Sequence, residues 1–159
     1  MNPEIMDQAA EPEQFQTDKS YGDLSQRDKR SLVFHLLYIM EVFDYEATME
    51  SIVDNLNRGF HMDVPLDAPE VETARLIIEQ RAALDERYIP LLSNWRIERI
   101  GVCTKLILRY AIWELETGDT DPKIVINEAI ELAKAFAEKD AFKFINGILD
   151  QIIKQKSEE

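Results

Sequence analysis

The sequence PKIVINEAIELAK at residues 122–134, followed by KFINGILD at residues 143–150, decides the fold of this chain. In the first segment the apolar residues recur at spacings of three and four, which is the period of an α-helix with one buried face. In the second segment Ile145, Ile148 and Leu149 continue this spacing. The two segments therefore predict a pair of linked amphipathic helices near the C-terminal end of the chain.

The rest of the chain is divided by local start and stop signals of helices. Ser25 lies three residues before Asp28, which predicts a capping box. Asp67 is followed by a first-turn proline, and Asp140 can cap the last helix. The predicted helices cover residues 26–43, 48–60, 69–88, 101–116, 122 onward and 140–154. Because no segment alternates like a strand, the sequence predicts an all-α, compact bundle of six or seven helices, with the apolar helix 101–116 at its centre.

Length and composition are those of a single globular domain. The chain has 159 residues, of which 45% are apolar. Its net charge of −13 opposes binding to nucleic acid, because contacts with phosphates depend on Lys and Arg. The acidic excess lies mainly in residues 31–94, with 12 acidic and 4 basic residues, so a basic face would have to come from the first helix and the C-terminal half.

The N-terminal part differs from the rest. Residues 1–23 are polar, acidic and aperiodic, which predicts a flexible extension before a domain at 24–159. The extension lacks the basic and apolar regions of a signal peptide, and no stretch reaches the roughly 20 apolar residues of a membrane span. Cys103 is the one cysteine, so no intramolecular disulfide forms. We expect a soluble, cytoplasmic protein.

The first helix carries aromatic side chains outside its predicted core face. Arg27, Phe34 and Tyr38 lie in one row, and Lys29 and Arg30 are close by. Basic residues interleaved with aromatic ones suit single-stranded RNA. Burial of the aromatic residues under the N-terminal extension or a neighbouring helix explains the pattern equally well.

The C-terminal helices add further polar and aromatic candidates. Phe144 lies at the margin of a buried stripe beside Lys139 and Lys143, where it could stack on a base or cover the edge of the core. Arg109 and Glu114 lie in an apolar helix and need partners for their charges. Neither Asn127 nor Glu128 has a metal ligand at a suitable spacing, and we interpret both as capping or hydrogen-bonding groups.

These segments together resemble the NusB family of bacterial transcription antitermination factors. The resemblance covers about Gln26 to Ile153. Besides the two C-terminal segments, it rests on RDKR at 27–30 with Leu37-Tyr38, on WRIERI at 95–100 and on ILRYAIWEL at 107–115. It implies a helical fold of two subbundles without catalytic activity. We therefore predict no catalytic residue, cofactor or metal, which agrees with the presence of only two distant histidines, His35 and His61.

The resemblance also implies a function. Members of the family bind the boxA element of nascent RNA together with NusE, a small-subunit ribosomal protein. They help RNA polymerase through ribosomal RNA operons without termination, as part of an antitermination complex. Position by position, the RNA-binding residues carried over are Arg27, Arg30, Tyr38, Asp140 and Phe144, and charge and helical geometry add Lys29.

The chain departs from the family pattern in two places. Gln26 and Asp28 replace further basic residues, which weakens phosphate binding. Ala137 and Ala141 replace a glycine and a serine, which predicts a more helical connection between the last two helices. Two alternatives stay open: a protein-interaction module that keeps the NusE surface with little RNA affinity, and a detached RNA-binding module of an RNA cytosine methyltransferase.

Overall fold

The computed structural model describes residues 19–93 and 96–158, and within those ranges it contains seven α-helices and no strand. The all-α class and the number of helices predicted from the sequence are confirmed. The helices are α1 (Gln26–Val42), α2 (Met49–Phe60), α3 (Pro69–Glu79), α4 (Arg81–Tyr88), α5 (Val102–Thr117), α6 (Pro122–Phe136) and α7 (Ala141–Ser157). Single 3-10 turns are formed by Tyr21–Asp23, Ile89–Leu91 and Ile97–Arg99.

Two groups of helices share one hydrophobic core. α1 packs against α2 and α3, while α5, α6 and α7 pack against one another and α4 joins them through α5. The predicted central helix is α5, whose residues Leu106, Ile107 and Leu108 are buried on successive sides. Because α5 also contacts α1, it joins the two groups.

Most helix ends follow the local signals in the sequence. Ser25 and Asp28 form the predicted capping box, and the Thr48 hydroxyl accepts a hydrogen bond from the backbone N–H of Ser51. Asp121 caps α6 before Pro122. Gly118 ends α5 with φ of 75°, a left-handed conformation that residues with a Cβ rarely adopt.

The segment after Asp67 was predicted as one helix to Tyr88, and this prediction is wrong. The helix breaks at Gln80 into α3 and α4, and Ala68, not Asp67, occupies the cap position of α3. At the break, Nη1 of Arg81 donates a hydrogen bond of 2.8 Å to the carbonyl of Ile78, which caps the end of α3. Arg81 also lies over the ring of Tyr45, 3.9 Å from its centroid. The helix therefore breaks at a position where the sequence has neither proline nor glycine, and the break is accompanied by the contacts of Arg81.

The connection between α6 and α7 also differs from its prediction. Ala137 is extended, with φ of −92° and ψ of 170°, so the connection is not more helical. Asp140 stands at the cap position of α7 but in a left-handed conformation with φ of 68°, and its side chain makes no capping hydrogen bond. α7 continues to Ser157, beyond the predicted end at Lys154.

The predicted N-terminal extension is described only in part. Residues 1–18 lie outside the described ranges. The side chain of Tyr21 packs against the core, and its hydroxyl donates a hydrogen bond to Glu70. Contact with the domain thus begins before residue 24.

The two buried charges of α5 have partners on other helices, as their burial requires. The guanidinium of Arg109 pairs with Asp85 of α4, and the carboxylate of Glu114 pairs with Arg30 of α1. These two ion pairs tie α5 to both groups of helices.

Candidate nucleic-acid interface

The first turn of α1 positions three of the predicted RNA-binding residues. The Ser25 hydroxyl accepts a hydrogen bond of 3.1 Å from the Asp28 backbone N–H, and the Asp28 carboxylate accepts one of 3.3 Å from the Ser25 backbone N–H. The capping box fixes the helix start, and with it the directions in which Arg27, Lys29 and Arg30 leave the helix.

Arg27 lies on the surface and is held by α6. Its Nε and Nη2 donate hydrogen bonds of 3.3 and 3.2 Å to the two carboxylate oxygens of Glu128. The Arg27 side chain is 55% exposed, whereas that of Glu128 is 16% exposed. The hydrogen bonds and charge of Glu128 raise the pKa of Arg27, and the charge of Glu131 raises it further. The interpretation of Glu128 as a hydrogen-bonding group is confirmed, although its partner could not be predicted from the sequence.

The first turn of α1 contains two further charged residues, Asp28 and Lys29. Lys29 is half-buried and forms no ion pair with the described acidic residues. The Asp28 carboxylate pairs with the ammonium of Lys19 at 3.7 Å. The acidic residue that departs from the family pattern is thus compensated by a lysine just outside α1, which the sequence analysis missed.

Arg30 points into the protein. Its two Nη atoms donate hydrogen bonds to the carboxylate oxygens of Glu114, the one from Nη2 at 2.8 Å, and its side chain is 16% exposed. The guanidinium also lies 5.9 Å from the ring centroid of Tyr110. Burial lowers the pKa of Arg30, but the hydrogen bonds and charge of Glu114 outweigh it and the pKa is raised. Arg30 is therefore an internal cation that joins α1 to α5.

The two aromatic residues of the α1 row have different environments. Phe34 is buried and stacks on Phe136 at the end of α6, with ring centroids 4.8 Å apart. His35 packs edge-on against the same Phe136 ring. Tyr38, one turn further along α1, is 41% exposed. A neighbouring helix thus covers Phe34, as one of the two sequence hypotheses required, and leaves Tyr38 at the surface.

The α6–α7 turn brings together Asp140 and Phe144. Both line a cavity of about 600 Å³, together with Ile100, Ala141 and Lys143. Phe144 is half-buried against the edge of the core, and the Asp140 carboxylate lies 3.7 Å from the ammonium of Lys143. The cavity has apolar walls, and three basic residues at its border stand beside two carboxylates: Arg99, Lys139 and Lys143 beside Glu138 and Asp140. Apolar walls with cations nearby are suited to a base and its phosphate.

Thr104 and Glu138 complete this region and were missed by the sequence analysis. The buried Thr104 hydroxyl donates a hydrogen bond of 3.3 Å to the Glu138 carboxylate. A side chain at Gly101 would come within 2.6 Å of this carboxylate, so glycine leaves room for it. The first turn of α5 and the α6–α7 turn are thereby held together.

Four of the predicted residues on α1 and α7 belong to one surface. Side chains join α1 to α6 at two points: Arg27 meets Glu128 near the helix starts, and Phe34, seven residues further along α1, meets Phe136, eight residues further along α6. The two helices therefore run in the same direction. Both then reach the first turn of α5, where Glu41 pairs with Lys105 and Glu138 with Thr104. We call this the candidate surface; its predicted RNA-binding members are Arg27, Tyr38, Asp140 and Phe144. Lys29 lies two residues after Arg27, about 200° around α1, so its side chain leaves the helix on the other side and the structure does not bring it to this surface.

In the described ranges, no group of three or more His, Cys, Asp and Glu side chains could hold a metal ion. Across residues 19–93 and 96–158, none of the helices combines the length and the apolar character needed to cross a membrane.

The chain is similar to known proteins over most of its length. The model of the NusB family matches residues 27–154. The transcription antitermination protein NusB of Macrococcus caseolyticus is 32% identical over 138 residues, covering 84% of this chain and all of that protein. The one of Staphylococcus carnosus is 35% identical over 129 residues, covering 81% and 99%. A solved structure of T. maritima NusB matches with a TM-score of 0.67 and 30% identity, over 83% of this chain and 92% of that one.

Proposed function

The chain belongs to the NusB family of transcription antitermination factors, and from this premise we propose that it binds boxA-type RNA together with NusE. In this role it acts in an RNA polymerase antitermination complex and promotes read-through of ribosomal RNA operons. Its part in the complex is to bind rather than to catalyse, since the relatives are named for antitermination.

The observation that carries this proposal is the candidate surface. It places an exposed cation, Arg27, and two accessible aromatic side chains, Tyr38 and Phe144, along one side of α1 and the α6–α7 turn. From Arg27 to Tyr38 the helix rises about 16 Å, which is room for several nucleotides of an extended strand. Cations for phosphates and aromatic rings for bases are what single-stranded RNA requires.

A neighbouring apolar patch suits the protein partner. Val42 is 62% exposed and Val102 is 41% exposed. Val42 follows Glu41 at the end of α1, Val102 begins α5 three residues before Lys105, and the Glu41–Lys105 ion pair links these two helix ends. Phe43 is exposed beside Val42. Exposed apolar side chains grouped in this way mark protein contacts. NusE bound here would border the RNA at Tyr38 and supply cations that a chain of charge −13 lacks.

Phe144→Ala should weaken binding of a labelled boxA-type RNA about tenfold, because a base loses its stacking partner. The measurement is a fluorescence anisotropy titration at low salt, with and without NusE. Leu66→Ala is the matched control: Leu66 is 52% exposed in the loop between α2 and α3, on the other group of helices, and its removal should leave the affinity unchanged.

The same titration decides between the functions. If wild-type protein shows no affinity for the RNA at low salt even with NusE, the RNA role is excluded and the protein-interaction module is the better description. A separate competition experiment tests the remaining alternative: a preference for a methyltransferase domain and its RNA over NusE and boxA would support the detached module.

Val42→Glu should reduce the NusE-dependent gain in RNA affinity at least tenfold, since it buries a charge in the proposed protein contact. Binding of RNA without NusE should change little by comparison. The control is Leu66→Glu, which also places an acid at an exposed apolar position. An equal effect of both variants would show general charge repulsion and contradict the proposed patch.

A further inference from the structure

The two arginines in the first turn of α1 present different parts of their guanidinium groups. An arginine has two edges that can bind an oxyanion through two parallel hydrogen bonds: the side edge, formed by Nε and Nη2, and the end edge, formed by Nη1 and Nη2. Arg30 uses its end edge on Glu114 and is largely buried. Arg27 uses its side edge on Glu128.

This difference leaves Arg27 with an open end edge. Its Nη1 donates to none of the residues in the described ranges, and more than half of the side chain is exposed. Glu128 is itself largely covered and sits on a well-packed helix between Val125 and Ala129, which are buried. The carboxylate is thus a fixed support that directs the end edge of Arg27 outward.

A second carboxylate near Arg27 has no such geometry. Glu131 lies three residues further along α6 and acts on Arg27 through its charge, without a hydrogen bond to it. Its negative charge repels a phosphate that approaches Arg27, and it does not orient the Arg27 guanidinium. Removal of either carboxylate changes the net charge of the protein by the same amount.

We propose that Glu128 is a positioning residue that holds Arg27 with its end edge free for one RNA phosphate, while Arg30 serves only to join α1 to α5. This inference rests on the proposed RNA binding and assigns different roles to two cations that the resemblance treats alike. A pre-oriented guanidinium loses less side-chain freedom on binding a phosphate, so the contact is stronger than that of an unsupported arginine.

The experiment compares Glu128→Gln with Glu131→Gln. Glu128→Gln should weaken binding of the labelled boxA-type RNA about three- to tenfold, because the side edge of Arg27 loses one of its two acceptors and the negative charge that holds it. Glu131→Gln should instead strengthen binding about twofold, since it removes repulsion alone. Titrations over a range of salt concentrations should also show that Arg27→Gln lowers the salt slope by about 0.7, the value for one phosphate contact on a single strand.

A double variant separates positioning from other effects. In an Arg27→Gln background, Glu128→Gln should no longer weaken binding, because the group that it orients is gone; the gain of about twofold from lost repulsion is all that should remain. Arg58→Gln, which removes an exposed cation of α2, is the control for charge and should leave the salt slope unchanged. Arg30→Ala should lower the melting temperature without changing the salt slope.

The outcomes are distinguishable. If wild-type protein does not bind RNA, the proposed function fails. If it binds and Glu128→Gln leaves the affinity unchanged or raises it as Glu131→Gln does, Glu128 is a competitor or a bystander and the positioning role is overturned. A lower salt slope in Arg30→Ala would overturn the role assigned to Arg30.

Discussion

Replacement of Arg109 by alanine should lower the free energy of unfolding by about 3 to 5 kcal/mol, the cost of breaking a buried ion pair from one side. Nε and Nη2 of Arg109 donate hydrogen bonds of 2.8 Å each to the two carboxylate oxygens of Asp85. Nη1 donates to the Tyr45 hydroxyl at 2.9 Å. Without the guanidinium, Asp85 keeps a negative charge in a largely covered position, and each of its oxygens loses one hydrogen-bond donor.

The position of Arg109 explains why the effect should be large. Its side chain is 8% exposed, and it connects α5 to α4 and to the turn after α1. Burial lowers the pKa of Arg109, but the hydrogen bonds and charge of Asp85 outweigh it, and the pKa stays raised. Arg109 is therefore charged at every accessible pH. It cannot lose its proton to avoid the cost of a buried charge, so it depends on its pairing with Asp85.

Chemical denaturation monitored by circular dichroism measures this loss, provided that the unfolding curves are two-state. The matched control is Arg58→Ala, which removes the arginine of an exposed pair with Asp54 and should change stability by less than about 1 kcal/mol. A loss in Arg109→Ala no greater than that of the control would contradict the buried network. A variant in which both Arg109 and Asp85 are leucine should recover part of the stability, since no unpaired charge remains.

Phe34→Ala should cost about 3 to 5 kcal/mol of stability, the range for removing a buried phenylalanine side chain. Phe34 is 3% exposed and stacks on Phe136, so its loss leaves a cavity between α1 and α6. RNA affinity measured well below the melting temperature should change little, because the ring is not accessible to a base.

Tyr38→Ala is the matched variant on the same row of α1. Tyr38 is exposed, so its removal should cost less than about 1 kcal/mol of stability and yet reduce RNA affinity. The two variants thus have opposite expected profiles in thermal melts and RNA titrations. If Phe34→Ala lost RNA affinity while retaining its stability, the assignment of Phe34 to the core would be wrong.

The helices were predictable because their signals are local. A capping box spans four residues, as at Ser25 and Asp28, and the left-handed cap at Gly118 depends on a single residue. The periodicity of the segment after Pro122 likewise needs only neighbouring positions. Where a tertiary contact competed, the prediction failed: the break at Gln80 coincides with contacts of Arg81, including one with the distant Tyr45.

The candidate site was predictable as residue types but not as an arrangement. One short stretch of α1 contains Arg27, Arg30 and Phe34. From the sequence alone, the exposed arginine, Arg27, could not be distinguished from the buried one, Arg30. Arg27 meets Glu128, 101 residues away, and Arg30 meets Glu114, 84 residues away. The packing of the helices determines partners at such separations, and a local sequence pattern cannot predict this packing.

By itself, the sequence determined the helical class, most helix ends and the resemblance to the family, because capping, propensity and periodicity act within a few residues. Only the tertiary structure decided which side chains are available for binding. In the folded protein Phe136 covers Phe34, and Arg30 points inward to Glu114. Arg27, in contrast, is held at the surface by Glu128. The physical reason is that burial and ion pairing depend on which helices meet, and this is a property of the whole core.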